Sequence, residues 1–203
     1  MRWACALFAL LFVVASTQAE DRSTAPPDDK TIIIYGKSDG AASGWAIVTL
    51  LPVGWTGDCC HYAKAIGVNL VLYKGDWTGE PDRVMVLNVW STKLATLDAE
   101  WKEDQKQYLQ RDPAAKVESL SLHNPKMTCR GFIYHGSDHI DDVVIFCDPG
   151  KPSGIHLSWS MTVAASDPAR QQVLALFQQV VEASFYMKYQ PKSGATGKAA
   201  PHK

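Results

Sequence analysis

The chain of 203 residues carries no Asn-x-Ser/Thr acceptor, because Asn69, Asn88 and Asn124 are followed by Leu-Val, Val-Trp and Pro-Lys. Nothing in it therefore points to a glycosylated surface protein. It also lacks a P-loop, an H-E-x-x-H zinc motif and a dinucleotide glycine fingerprint, the sequence marks of nucleotide binding and zinc proteolysis. Charge of one sign is not in excess either: 20 Lys and Arg stand against 21 Asp and Glu, a formal net charge of -1. That balance supplies no field for nucleic acid or for an anionic membrane. Beyond the first turns of the chain, no apolar run is long enough to cross a bilayer.

What is present begins with MRWACALFALLFVVASTQA. Arg2 is a short positive start, residues 3–14 are apolar, and Thr17-Gln18-Ala19 ends on a small residue. This is the three-part layout of a secretory signal peptide cleaved after Ala19. The apolar run is shorter than the ~20 residues of a spanning helix. The expectation is an exported protein, periplasmic or secreted, without membrane insertion. Cleavage removes Arg2, which moves the charge from -1 to -2, and it removes one of five cysteines, Cys5. Cys59, Cys60, Cys129 and Cys147 remain, an even number that predicts disulfides in an oxidising compartment.

Residues 20–30 are polar and proline-bearing, and residues 190–203 are small, basic and rich in Gly and Pro. Both read as segments outside a single folded domain at 31–189. Inside that domain, apolar alternation predicts hairpins from 31–35 with 45–51, 68–75 with 83–91, and 129–136 with 141–148, followed by a strand over 155–163. In the last of these, Ile155, Leu157, Trp159 and Met161 alternate with His156, Ser158 and Ser160, so one face is apolar and the other polar. A helix is predicted over 97–111, with Thr96 as N-cap, Asp98 and Glu100 in the first turn, and Leu97, Trp101 and Tyr108 on one face. A second starts at Asp167-Pro168, with Val173, Leu176, Phe177, Val180 and Ser184 as its stripe. A short helix over 59–66 fits between Asp58 as cap and Gly67 as stop. Hairpins with two main helices set apart define an α+β fold, an antiparallel sheet with the helices packed on it.

The order of "LPVGW", "GVNLVLYKGDW", "DRVMVLNVWS", an amphipathic helix, two hairpin strands and a closing helix ending "VVEASF" resembles the PsbP-like α/β sandwich superfamily. That group includes photosystem extrinsic subunits and small exported bacterial proteins. The resemblance covers roughly residues 44–185 and implies a non-catalytic scaffold or binding domain. It transfers no catalytic residue.

The four cysteines allow two solutions. In one, Cys129 and Cys147 bond across their hairpin and leave Cys59 and Cys60 to each other. A vicinal disulfide closes a cramped eight-membered ring, so the expectation is the other: Cys59 and Cys60 each bond one of Cys129 and Cys147, stapling the short helix to the hairpin. The spacing is CC rather than C-x-x-C and no thioredoxin-like βαβ order surrounds it, which argues against redox catalysis.

The tip of the third hairpin, HGSDHIDD, offers His135, Asp138, His139, Asp141 and Asp142 as a candidate metal set. The same residue types make an ordinary polar turn, and the spacing matches no ligand motif, so no cofactor is expected. Trp55 and Trp77 stand in Gly-rich loops, where a large ring can anchor a partner or cap the core. Together with Glu80 they form the candidate binding surface, centred on Trp77-Thr78-Gly79-Glu80. With no acid–base pair to name, the expected function is that of a non-catalytic exported protein that binds another exported protein. It could be an inhibitor or immunity-type protein acting on a toxin or cell-wall hydrolase. The alternatives are an envelope assembly or maintenance factor and a small-ligand or metal carrier.

Overall fold

The computed structural model describes residues 30–37, 44–78, 81–94 and 96–190. The expected signal peptide, residues 20–29 and the tail from 191 lie outside the described residues. All strand pairs are antiparallel and they divide into two sheets. In the small sheet, β1 (Lys30–Lys37) and β2 (Gly44–Leu51) form the first expected hairpin, and β10 (Phe185–Tyr189) pairs with the other side of β2. The large sheet runs β3 (Thr56–Asp58), β4 (Leu70–Lys74), β5 (Arg83–Ser91), β9 (Ile155–Ala164), β8 (Ile140–Asp148), β7 (Thr128–His135) and β6 (Lys116–Leu120) in spatial order. The helices are α1 (Tyr62–Ala65), α2 (Leu97–Arg111) and α3 (Arg170–Ala183).

Two helix starts differ from expectation for local reasons. Asp58 does cap the short helix, but it accepts the amides of His61 (3.1 Å) and Ala63 (2.9 Å), so α1 begins only at Tyr62. Gly67, at φ 76°, ends that turn as expected. Asp167 accepts the amide of Ala169 at 2.8 Å and pairs with Arg83. This holds Pro168 in a turn before α3, which begins at Arg170.

Alternation along each strand gives the large sheet two unlike faces. Toward the small sheet it presents Leu70, Leu72, Met85, Leu87, Ile145 and Trp159, all fully buried. Helix α3 touches both β2 and β9 and adds Phe177, Val180 and Val181 to this core. The end of α3 is pinned by a polar link: the Thr49 and Ser184 hydroxyls hydrogen-bond at 2.9 Å, and Ser184 donates to the Val180 carbonyl at 2.7 Å. The opposite, outer face is covered by α2 over β7 and β8. There Trp101 packs on Phe132 (4.7 Å between ring centroids) and Tyr108 stacks on Tyr134 (4.4 Å).

The cysteine pairing corrects the expected one. Register places Cys129 directly opposite Cys147, with Cα atoms 4.2 Å apart, and the two are bonded across the hairpin on the core face. Cys59 and Cys60, exposed between β3 and α1, bond each other. A staple from Cys59 or Cys60 to the third hairpin is excluded because each partner there already faces the other.

Candidate functional site

The outer face of the large sheet carries the polar and aromatic groups that the core does not use. At its β4 end, Trp77 stacks on Tyr62 (4.9 Å) and meets Tyr73 edge-on (5.3 Å), while His61 lies 4.8 Å from Tyr62. Tyr73 points outward because Leu70 and Leu72 of the same strand point into the core. The exposed Cys59–Cys60 pair, two residues before Tyr62, borders a different hollow, lined by Ile33, Tyr35 and Trp45. None of Tyr62, Tyr73 and Trp77 belongs to either hydrophobic cluster.

Of the residues expected to bind, Trp77 thus sits in an aromatic patch outside the core. Trp55 does not join it: its ring packs at the edge of the main core and lines a separate hollow of 480 Å³ beside Arg83 and α3. Glu80 lies outside the described residues.

The hairpin tip does not gather its acids and imidazoles. His135 Nδ1 is 2.9 Å from Asp141 and Nε2 is 3.1 Å from Glu118, and Arg170 Nε donates to Asp141 at 2.7 Å. Asp141 is almost wholly buried, and its charge is met by these two neighbours. Both partners hold its carboxyl below the usual carboxylate range against the upward push of burial. Asp138 accepts the amide of Ile140 at 2.9 Å within the turn, Asp142 lies against the Tyr108 hydroxyl, and His139 is exposed at φ 65°. Among the described residues, no three His, Cys, Asp or Glu side chains are placed to hold one ion. The set expected as a carrier site is a structural tie between the β7–β8 turn and α3.

Between α2 and the segment 67–69 the outer face opens into a trough of 610 Å³ floored by β5, β9 and β8. Asn88 faces Ser158 across the ladder, and Ser160 continues the row. Trp90 and Phe146 supply apolar wall. Glu100, at one end, accepts the Leu94 amide at 3.1 Å and lies 3.3 Å from His156 Nδ1; burial would raise it, but these partners bring it below the usual range. Asp104 is pushed up by burial, although the Tyr134 hydroxyl donates to it at 3.2 Å. Among the described residues, no Ser, Thr or Cys side chain bonds His156, so the Glu100–His156 pair activates no nucleophile there. The alternation of His156, Ser158 and Ser160 signals a polar face, but only the fold shows it walled by helices. One enzyme-like pattern is present in the sequence: Gly36-Lys37-Ser38-Asp39-Gly40 spells G-x-S-x-G. It joins two strands of a hairpin rather than a strand to a helix, the setting a nucleophile elbow needs, and Ser38 lies outside the described residues.

No protein-family model and no curated protein matches the chain. Among solved structures it is similar to cyanobacterial PsbP (CyanoP) from Synechocystis sp. PCC 6803, determined in solution. The match has 14% sequence identity and a TM-score of 0.46, over 76% of this chain and 92% of that one. The α+β order of elements read from the sequence is that of the described residues, hairpins in antiparallel sheets with helices packed on them.

Proposed function

We propose that this chain is an exported, non-catalytic binding protein, periplasmic or secreted, whose partner is another exported protein. In its most concrete form it is an inhibitor or immunity-type protein of a toxin or cell-wall hydrolase. The observation that carries the reading is the patch of Trp77, Tyr62 and Tyr73, stacked on one another outside both hydrophobic clusters. Large rings that a fold does not spend on its core are the commonest anchors of protein interfaces. The signal-peptide layout at 1–19 and the disulfides fit an oxidising, exported setting.

The test is capture from the exported fraction of the source cells with oxidised residues 20–203 as bait, alongside the Trp77→Ala variant. The reading expects one enzyme held in stoichiometric amount by the wild type, inhibited by it, and released by the variant. Capture that Trp77→Ala leaves intact removes the patch as the interface, and capture of structural envelope proteins without inhibition replaces the inhibitor by an assembly factor.

A further inference from the structure

We propose that the outer face of the small sheet is a docking surface for an anionic phospholipid bilayer, built from other strands than the aromatic patch around Trp77. Strand alternation sends Ile34, Trp45 and Ile47 into the main core, where α3 lies against β2. The opposite face carries Ile33 and Tyr35 of β1 beside Val48 and Ala46 of β2, which in turn oppose Phe185 and Met187 of β10. Tyr35 and Tyr189 stack at 4.8 Å at one end of this face. Ile33 is 58% exposed, Tyr35 65% and Met187 49%, three of the six large apolar side chains exposed among the described residues. A continuous apolar face left open in this way marks contact with a protein or a membrane.

Charge selects between these occupants. The chain as a whole is close to neutral, but β1, β2 and β10 hold three lysines, Lys30, Lys37 and Lys188, and no Asp or Glu. All three are exposed, and none is paired with an acid among the described residues. Lys37 continues the outward row of Ile33 and Tyr35, and at the other end Lys126 Nζ lies 3.7 Å from the centre of the Phe185 ring. Glu182, just before β10, is engaged by the His123 amide at 2.7 Å. Asp29 and Asp39 bracket β1 outside the described residues, while Lys192, Lys198 and Lys203 follow β10 with no acid among them. Two such faces brought together would set lysine against lysine, which disfavours a second copy. Protein interfaces favour Arg over Lys and use matched polar side chains. This face offers no Arg, Asn, Gln or acid. Apolar side chains edged by Tyr and Lys suit the boundary between acyl chains and headgroups instead, the cations meeting lipid phosphate.

The experiment is co-sedimentation of the exported chain, shown by its mass to lack residues 1–19, with vesicles of phosphatidylcholine alone or with about 30% phosphatidylglycerol. Half of the protein is expected to sediment with the anionic vesicles by about 1 mM lipid, and far less with the neutral ones. Ile33→Ser and Met187→Ser should each weaken the binding about tenfold or more, since each withdraws an exposed apolar side chain from the contact. Lys37→Gln should weaken it roughly fivefold. Tyr35→Ser replaces any of these variants that does not fold by its melting curve. Trp77→Ala should bind as the wild type, which keeps this surface apart from the proposed partner interface. No sedimentation with anionic vesicles at about 5 mM lipid overturns the proposal. So do equal binding to both vesicle types, wild-type binding by the folded face variants, and loss of binding in Trp77→Ala. Sedimentation velocity without vesicles should show a monomer, and a dimer that Ile33→Ser dissociates would give the face to a second copy and overturn the proposal as well.

Discussion

The two faces of the large sheet are built from the same strands and do opposite work. Toward α3 and the small sheet the central strands deliver aliphatic and aromatic side chains, and Leu72, Leu87, Ile145, Leu157 and Trp159 are all fully buried. Toward solvent the same strands deliver Tyr73, Asn88, Ser158 and Ser160, and cover is local: α1 over Val71, α2 over Phe132, Tyr134 and Phe146. The disulfides repeat the contrast. Cys129–Cys147 has one sulfur-bearing residue wholly within the core cluster, while Cys59–Cys60 is exposed between β3 and α1. One face holds the fold together, and the other is free to vary its chemistry.

The sharpest way to break that comparison is to truncate a ring on each face. Phe177→Ala, on the core side of α3, is expected to cost about 3–5 kcal/mol, because the ring is fully enclosed and its removal leaves a cavity. Trp101→Ala, half-buried on the outer face, should cost roughly half as much, since solvent can reach the gap it leaves. Urea denaturation of both measures the difference. Equal losses would mean that α2 is as much a part of the core as α3.

The next effect separates the disulfides. Cys129→Ala with Cys147→Ala opens a bridge of sequence separation 18 and should lower stability by about 3 kcal/mol. Cys59→Ser with Cys60→Ser opens a bridge of sequence separation 1, which restrains almost nothing in the unfolded chain, so a loss below about 1 kcal/mol is expected. Denaturation under oxidising conditions reads both. A large loss from the vicinal pair would make it a structural clamp and remove the contrast between the faces.

How far the sequence reveals this arrangement depends on the range over which each feature is encoded. Hairpins are local, so the pairings of β1 with β2, β4 with β5 and β7 with β8 follow from alternation and turn residues. The separation into two sheets is not local: β10 pairs with β2 across most of the chain, as in Tyr186 opposite Ile47, and no nearby signal announces it. Strand β3 is too short to show a period, and β10 follows α3 with only Ser184 between them, so both escape a pattern search. The cysteine expectation failed because it ranked ring strain above register, although the register opposing Cys129 and Cys147 was itself legible. In the same way the polar face of β9 could be read from residue types, but the walls that turn it into a trough come from α2 and from Gly67 and Asn69, far away in sequence.

The smallest expected effect concerns the tie between the outer turn and α3. The hydrogen bond that His135 donates to Asp141, aided by Glu118 and opposed by partial burial, raises His135 above its ordinary 6.5. A histidine raised in the folded state stabilises fully below its unfolded pKa, and that contribution is lost as pH climbs through the higher folded value. The wild type should therefore lose melting temperature as pH rises from about 6.5 toward 8, and His135→Gln should lose less over the same interval. At the acid end the order reverses. Asp141 is lowered, so its stabilisation is present above its ordinary 3.8 and fades as pH falls through the lower folded value. His135→Gln retains that acid limb because Arg170 still pairs with Asp141. Parallel melting curves for wild type and variant between pH 6 and 8 would show that His135 and Asp141 share a contact without sharing a proton, and would leave Arg170 as the only charge holding the turn to α3.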